Sequence, residues 1–140
     1  MNISVAGVVL PNVPLSNFQL IEAAKKLGIK NFRGVVCRDE LPIKPKANEC
    51  GIVNLDDGDS RGSHWVAYFK KGNIKIYCDS YGLHPPDEII KYLGKVYYNT
   101  ERIQPDGTVF CGHLSLYVVK KLRTAANLTQ AFQELINNLY

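Results

Sequence analysis

The chain has 140 residues, 46% of them hydrophobic and 21% charged, with 11 Gly and 7 Pro. That composition fits one domain with a true core spanning residues 1–140, and it excludes disorder, collagen and coiled coil. The net charge of +4 leaves DNA, RNA or an acidic partner open without requiring one. No stretch approaches the roughly 18 to 20 apolar residues of a membrane-spanning helix, so no membrane partner is expected. The opening segment is apolar but has no basic start and runs into Pro11 and Pro14, so secretion is not expected either.

Residues 1–15 read as an extended arm. Ser16 then opens a helix, because Ser-Asn-Phe-Gln has the spacing of a reciprocal cap. Phe18, Leu20, Ile21, Ala24 and Leu27 form its apolar stripe, with Lys25 and Lys26 in the last turns and Gly28 past the end. Residues 32–47 are loop-like and rich in Pro and charge, with a short strand at 34–37. Residues 50–55 read as a buried strand, and a polar loop follows over 56–63.

A hairpin, residues 64–70 and 73–79, dominates the middle of the chain. With Lys71 and Gly72 as its two loop residues, His64 lies opposite Asp79; with Gly72 and Asn73, His64 lies opposite Tyr81. Either register gives an apolar face of Trp65, Ala67, Phe69, Ile74, Ile76 and Cys78. The wetter face is His64, Val66, Tyr68, Lys75, Tyr77 and Asp79, so an imidazole and a carboxylate end within reach of each other.

Beyond the hairpin, residues 86–93 read as a short helix closed by Gly94. Residues 95–99 and 102–104 read as short strands, and Gln104-Pro-Asp-Gly-Thr108 as a turn. A helix over 111–123 is apolar around more than one face, with Lys120, Lys121 and Arg123 at its C-terminal end. A last helix starts at Asn127 or Thr129, with Leu128, Phe132, Leu135 and Ile136 on its inward stripe.

Four cysteines, at 37, 50, 78 and 111, show no C-x-x-C spacing, so neither a metal site nor a redox motif is written here. Cys37, Cys50 and Cys78 read as core. Cys111 differs because it opens a helix, where the positive end of the dipole and free N–H groups favour a thiolate. A nearby imidazole lowers the thiol further, and an Asp behind the imidazole fixes its orientation. His64, Asp79 and Cys111 therefore form a candidate triad. The Cys111 N–H and the Gln104 carboxamide are candidate oxyanion donors. Each residue also has an ordinary use: Cys111 in a core, His64 on a strand surface, Asp79 as a turn former and Gln104 solvated. His84 and His113 keep ordinary roles.

Across most of residues 16–120 the sequence resembles adenain, the adenovirus-type cysteine protease, and its relatives in Polinton/Maverick elements and similar DNA viruses. Gly62-Ser63-His64-Trp65-Val66-Ala67 is similar to the family's G-x-H-W-x-A segment, and residues 50–54 to the strand before it. Asp79-Ser80-Tyr81-Gly82 resembles its turn of acidic residue, aromatic and Gly. Gln104 with Phe110-Cys111-Gly112 matches its Gln-x6-Cys-Gly spacing. The resemblance implies an α+β fold, a mixed central sheet with helices packed on it, related to papain by chain permutation. It implies a cysteine endopeptidase cleaving viral precursor polypeptides at Gly-containing sites, in the virion and the host cell interior (nucleus or cytoplasm). Catalysis would rest on His64, Asp79 and Cys111, with Gln104 at the oxyanion and Trp65 shaping a narrow substrate channel. Asp79 stands where adenain has Glu, while relatives that process ubiquitin-like proteins use Asp. The sequence itself requires no cofactor and no metal; the resemblance leaves an activating viral peptide or DNA open. The arm 1–15 has no counterpart and either docks on the body or swaps between copies.

Two other functions fit the same residues. One is a deubiquitinase or a protease of ubiquitin-like modifiers. The other is a basic DNA-binding or virion-assembly module in which the thiol is only structural.

Overall fold

The computed structural model describes residues 2–56 and 64–139; of the loop expected over 56–63, all but Asp56 lies outside the described residues. The amino-terminal segment is not a plain extended arm. It folds into an antiparallel hairpin of β1 (Asn2–Val5) and β2 (Val8–Pro11), turning through Ala6 and Gly7, both at positive φ. Val5, Leu10 and Leu15 are buried beside Leu20 and Leu116, so burial of these side chains holds the segment on its own body.

Helix α1 (Asn17–Leu27) begins as the sequence predicts. Gln19 N–H donates to Ser16 Oγ (3.2 Å) and Ser16 N–H to Gln19 Oε1 (2.8 Å). Its buried stripe is Leu20, Ala23, Ala24 and Leu27. Phe18, expected inside, is 78% exposed, because it lies about 200° around the helix from Leu20 at about 100° per residue.

The main sheet has five strands in sequence order: β3 (Phe32–Cys37), β4 (Asn48–Asn54), β5 (Trp65–Lys71), β6 (Ile74–Cys78) and β7 (Tyr97–Tyr98). The two outer pairings are parallel and the two inner ones antiparallel, giving the mixed sheet of an α+β fold. Residues 102–104, expected as a strand, are not one. Instead the N–H groups of Ile103 and Gln104 both donate to the Ser80 carbonyl (2.9 and 3.1 Å).

In the β5–β6 hairpin Ala67 pairs with Cys78, Tyr68 with Tyr77 and Phe69 with Ile76. The loop is therefore Gly72-Asn73, and the register that sets His64 opposite Asp79 is not the one adopted. Gly72 has φ of 60°, the conformation a tight hairpin loop assigns to Gly at its first position; Lys71 would be strained there. The division into faces holds, but the face expected to be wetter is buried too. Val66, Tyr68 and Tyr77 pack with Val53 under Ile89, Tyr92 and Leu93 of α2 (Asp87–Leu93). Ile74, at the strand end, is 44% exposed.

The opposite face carries α1, α3 (Cys111–Leu122) and α4 (Leu128–Leu139). Ile76 and Cys78 meet Val118 and Leu122 of α3 and Phe132 and Ile136 of α4. Asn127 accepts the Gln130 N–H (3.1 Å) at the start of α4. Helix α3 is buried on both sides, as its apolar circumference predicts. Gly112 permits this: a Cβ there would stand 3.2 Å from Leu20 and 3.4 Å from Leu15.

One buried charge was not legible in the sequence. Glu49 is 2% exposed, and its carboxylate accepts from Tyr68 Oη (2.5 Å), Tyr92 Oη (2.8 Å), Lys46 N (2.6 Å) and Arg33 Nη1 (3.4 Å). Satisfied in this way, a buried carboxylate ties β3, β4, β5 and α2 together.

Candidate active site

His64 immediately precedes β5 and Asp79 immediately follows β6, so the open end of the hairpin presents both. His64 Nε2–H donates to Asp79 Oδ1 at 2.7 Å, with His64 8% and Asp79 0% exposed. The observed register sets His64 opposite Tyr81, and those two rings stack, centroids 4.1 Å apart and 4° from parallel. The turn over 79–82, closed by Gly82 N–H donating to the Asp79 carbonyl (2.8 Å), brings residues 79 and 81 both against His64. Asp79 Oδ1 also accepts the Tyr81 N–H (2.8 Å), so its turn-forming use and its pairing with His64 coexist.

Three successive residues of this turn are gripped by the segment after β7. Asn99 brackets Asp79, accepting its N–H (3.2 Å) and donating to its carbonyl (2.7 Å). Ser80 Oγ donates to Gln104 Oε1 (2.6 Å), and the Arg102 guanidinium lies over the Tyr81 ring at 4.5 Å. Gly82 closes the turn at φ 73°, where a Cβ would stand 2.7 Å from the Thr100 carbonyl oxygen. Asn99, Ser80 and Arg102 escaped the sequence reading as parts of the site, whereas the Gly72-Asn73 register had already set Tyr81 opposite His64.

Cys111 is the first residue of α3 and is 7% exposed. Burial pushes its thiol up, but opposing interactions prevail and hold it below its ordinary value. These are the His64 side chain, the N–H groups of Trp65 and Gly112, and the charge of His64. On His64, burial works against the charged ring, while bonding and charge from Asp79 and Cys111 raise it to about 9. Since Nε2 is committed to Asp79, Nδ1 is the nitrogen left for sulfur. It makes no closed hydrogen bond with any described atom, so the sulfur–imidazole contact is open, as resting sites often are. The other cysteines contrast with Cys111. Burial and then Glu49 push Cys50 up to about 12, and burial followed by Asp79 pushes Cys78 higher still. Cys37, expected in the core, is instead half-buried and lines a cleft.

That cleft, of about 290 Å³, runs beside Trp65 and is also lined by Leu15, Asn17, Val35 and Asn54. Trp65 Nε1–H donates to the Leu15 carbonyl (2.9 Å), fixing the indole between cleft and amino-terminal hairpin. The same residue's main-chain N–H bonds the Cys111 sulfur, so Trp65 touches both the cleft and the thiol. Gln104 is 2% exposed; besides Ser80 it bonds Thr108, its Nε2 donating to that carbonyl (2.9 Å). A carboxamide has two N–H donors, so one is left uncommitted among the described residues. His113 and His84 have structural partners: His113 Nε2–H donates to the Pro11 carbonyl (2.9 Å), and His84 Nδ1–H to that of Pro85 (3.0 Å).

Among the described residues, Cys37, Asp39 and Glu40 can bring one ligand atom each within 4.8 Å of one another. The two acids are exposed, and nothing assigns them a metal. At the far end of β5 and α3 from Cys111, a second pocket of about 290 Å³ is lined by Lys30, Lys70, Lys71 and Arg123. Among the described residues, no helix is long and apolar enough to cross a membrane.

No protein-family model matches the chain, and no curated protein matches it. Among solved structures it is similar to the crystal structure of the ASFV pS273R protease, with a TM-score of 0.62 and 18% sequence identity. The match covers 87% of this chain and 62% of that one. At this identity the two share a fold, and the fold is the mixed-sheet α+β class anticipated from the motifs.

Proposed function

We propose that the chain is a cysteine endopeptidase in which Cys111 is the nucleophile, His64 the general acid and base, and Asp79 the orienting carboxylate. The observation that carries this reading is one buried imidazole held by a buried carboxylate through Nε2, with Nδ1 left open and a thiol at the start of α3 held below its ordinary value chiefly by that ring. The Cys111 thiolate attacks the scissile carbonyl, and the negative charge moves to the carbonyl oxygen. The Cys111 N–H and the uncommitted Gln104 N–H are the proposed donors to that oxygen. The tetrahedral adduct collapses as imidazolium Nδ1–H gives its proton to the leaving amine, leaving a thioester and a neutral ring. His64 then takes a proton from water, whose oxygen attacks the thioester, and the thiolate departs with the ring recharged.

Substrate and setting are part of the proposal. Viral precursor polypeptides cut at Gly-containing sites, in the virion or host cell interior, suit the motifs. They also suit a cleft that Trp65 lines, with its indole held by the Leu15 carbonyl. The solved protease with the same fold supports the reaction class without identifying the substrate. The test is a library of Gly-containing peptides assayed with wild type and Cys111→Ala, with and without DNA. Turnover by wild type alone supports the reading, and its absence, with iodoacetamide labelling all four thiols alike, refutes it. Cleavage of ubiquitin-like conjugates but not of precursor peptides would select the modifier-protease alternative.

Nucleic acid is proposed as a partner on a separate observation. Lys30, Lys70, Lys71 and Arg123 line one pocket, and among the described residues none has a carboxylate ion-pair partner. Stimulation of cleavage by DNA, lost in Lys70→Gln/Arg123→Gln, supports that partner, and salt-insensitive activity unaffected by DNA removes it.

A further inference from the structure

We propose that Tyr81 is a positioning residue for the reaction, a flat wall that sets the plane of the His64 imidazole so that Nδ1 meets the Cys111 sulfur while Nε2 stays on Asp79. The inference rests on the proposed protease reading, because it assigns His64 the proton-transfer role.

The need for such a wall follows from the hydrogen bonds. His64 has one described in-plane bond, Nε2–H to Asp79 Oδ1, and Nδ1 has no closed bond. With the ring tethered at Cγ and bonded at Nε2, its plane can still turn about the line between those two atoms. The Tyr81 ring closes that freedom, lying 4.1 Å away and 4° from parallel, against a face and not an edge. Tyr81 is itself held on both sides. Its N–H donates to the same Asp79 oxygen that accepts from His64, and the Arg102 guanidinium covers its other face at 4.5 Å. Arg102 is fixed in turn by the Gln104 carbonyl (2.8 Å) and by Asp106 (2.8 Å). Imidazole, phenol and guanidinium thus form a three-layer stack with the phenol in the middle and the reacting ring at one end. The negative face of the phenol also favours the imidazolium form that protonates the leaving amine. The hydroxyl has no part in this argument; only the flat ring does.

The experiment compares Tyr81→Phe, Tyr81→Leu and Tyr81→Met. It reads kcat and KM on a cleavable Gly peptide and the pH midpoint of Cys111 alkylation by iodoacetamide, which needs no substrate. Tyr81→Phe keeps the stack and should stay within about twofold of wild type, whereas Leu and Met should lower kcat roughly ten- to hundredfold with KM little changed. In those two variants the alkylation midpoint should rise toward the roughly 8.5 of a free thiol. A folded Leu or Met variant with wild-type kcat and midpoint overturns the proposal. If no peptide is cut yet the midpoint is low and moves with Tyr81, the protease reading fails and the positioning stands. If peptides are cut but neither kcat nor the low midpoint depends on residue 81, the protease reading stands and the positioning fails. Should Leu and Met both fail to fold, the His64 ring protons of the wild type decide by NMR. Upfield ring-current shifts support the stack, and their absence refutes it.

Discussion

Asp79→Asn separates what the carboxylate does by charge from what it does by shape. In the folded protein Oδ1 accepts from both His64 Nε2–H and Tyr81 N–H, whereas Oδ2 is buried with no partner. An Asn side chain keeps both bonds only by placing its oxygen at Oδ1 and its NH₂ at the partnerless position. The ring's tautomer and orientation then survive while the charge disappears, and an unsatisfied buried donor costs about 1–3 kcal/mol of stability at every pH. The charge effect depends on pH. Raising His64 from 6.5 to about 9 amounts to about 3 kcal/mol of preference for the imidazolium, and Asp79 leads the groups that raise it against the opposing burial. The sign follows from the raised value: this stabilisation is fully present below 6.5 and is lost as pH rises through about 9. Denaturant unfolding should therefore show a larger deficit for Asp79→Asn at pH 6 than at pH 10. The alkaline limb of kcat/KM, near pH 9 in wild type, should move down, and turnover at pH 8 should fall by roughly 10²-fold or more. Equal destabilisation at both pH values with an unmoved alkaline limb would refute the assignment of charge to this pair.

Other outcomes are expected from the same geometry. Cys111→Ala and His64→Ala should each abolish peptide turnover and leave circular dichroism unchanged, because Cys111 opens α3 and His64 precedes β5; His64→Ala should be the less stable of the two, since it strands the buried Asp79 carboxylate. Gln104→Ala should cost roughly 10²-fold in kcat if its spare N–H serves the oxyanion, and an unchanged kcat removes that role. Glu49→Ala should destabilise by about 3–5 kcal/mol in urea unfolding, since Arg33 and two buried tyrosine hydroxyls lose their common acceptor.

Local chemistry was the legible part of the sequence. The Ser16–Gln19 cap, the α3 start at Cys111 and the alternation in residues 64–79 are each written within a few neighbouring residues, and each is found. Strand alternation brought His64 and Asp79 to one face whichever loop formed, so their pairing survived a wrong first choice of register. The features that escaped depend on partners distant in the chain. Glu49 reads as a surface acid until Tyr68 and Tyr92 close over it, and Asn99 is an unremarkable polar residue until the turn at Asp79 lies against it. The amino-terminal hairpin turns through Ala6 at φ 48°, a conformation that residue type gives no reason to expect. Residues 102–104 have strand-like composition, but their N–H groups are taken by the Ser80 carbonyl, which leaves no ladder to join.

The grip of residues 99–104 on residues 79–81 means that neither stretch can be exchanged by itself. A loop replacement after β7 that kept its length but lost Asn99 or Arg102 would unseat the acid or unbrace its aromatic neighbour without touching a reacting atom. Transplanting this chemistry to another scaffold would mean carrying both stretches together, with glycine retained at 82, where the two backbones all but touch.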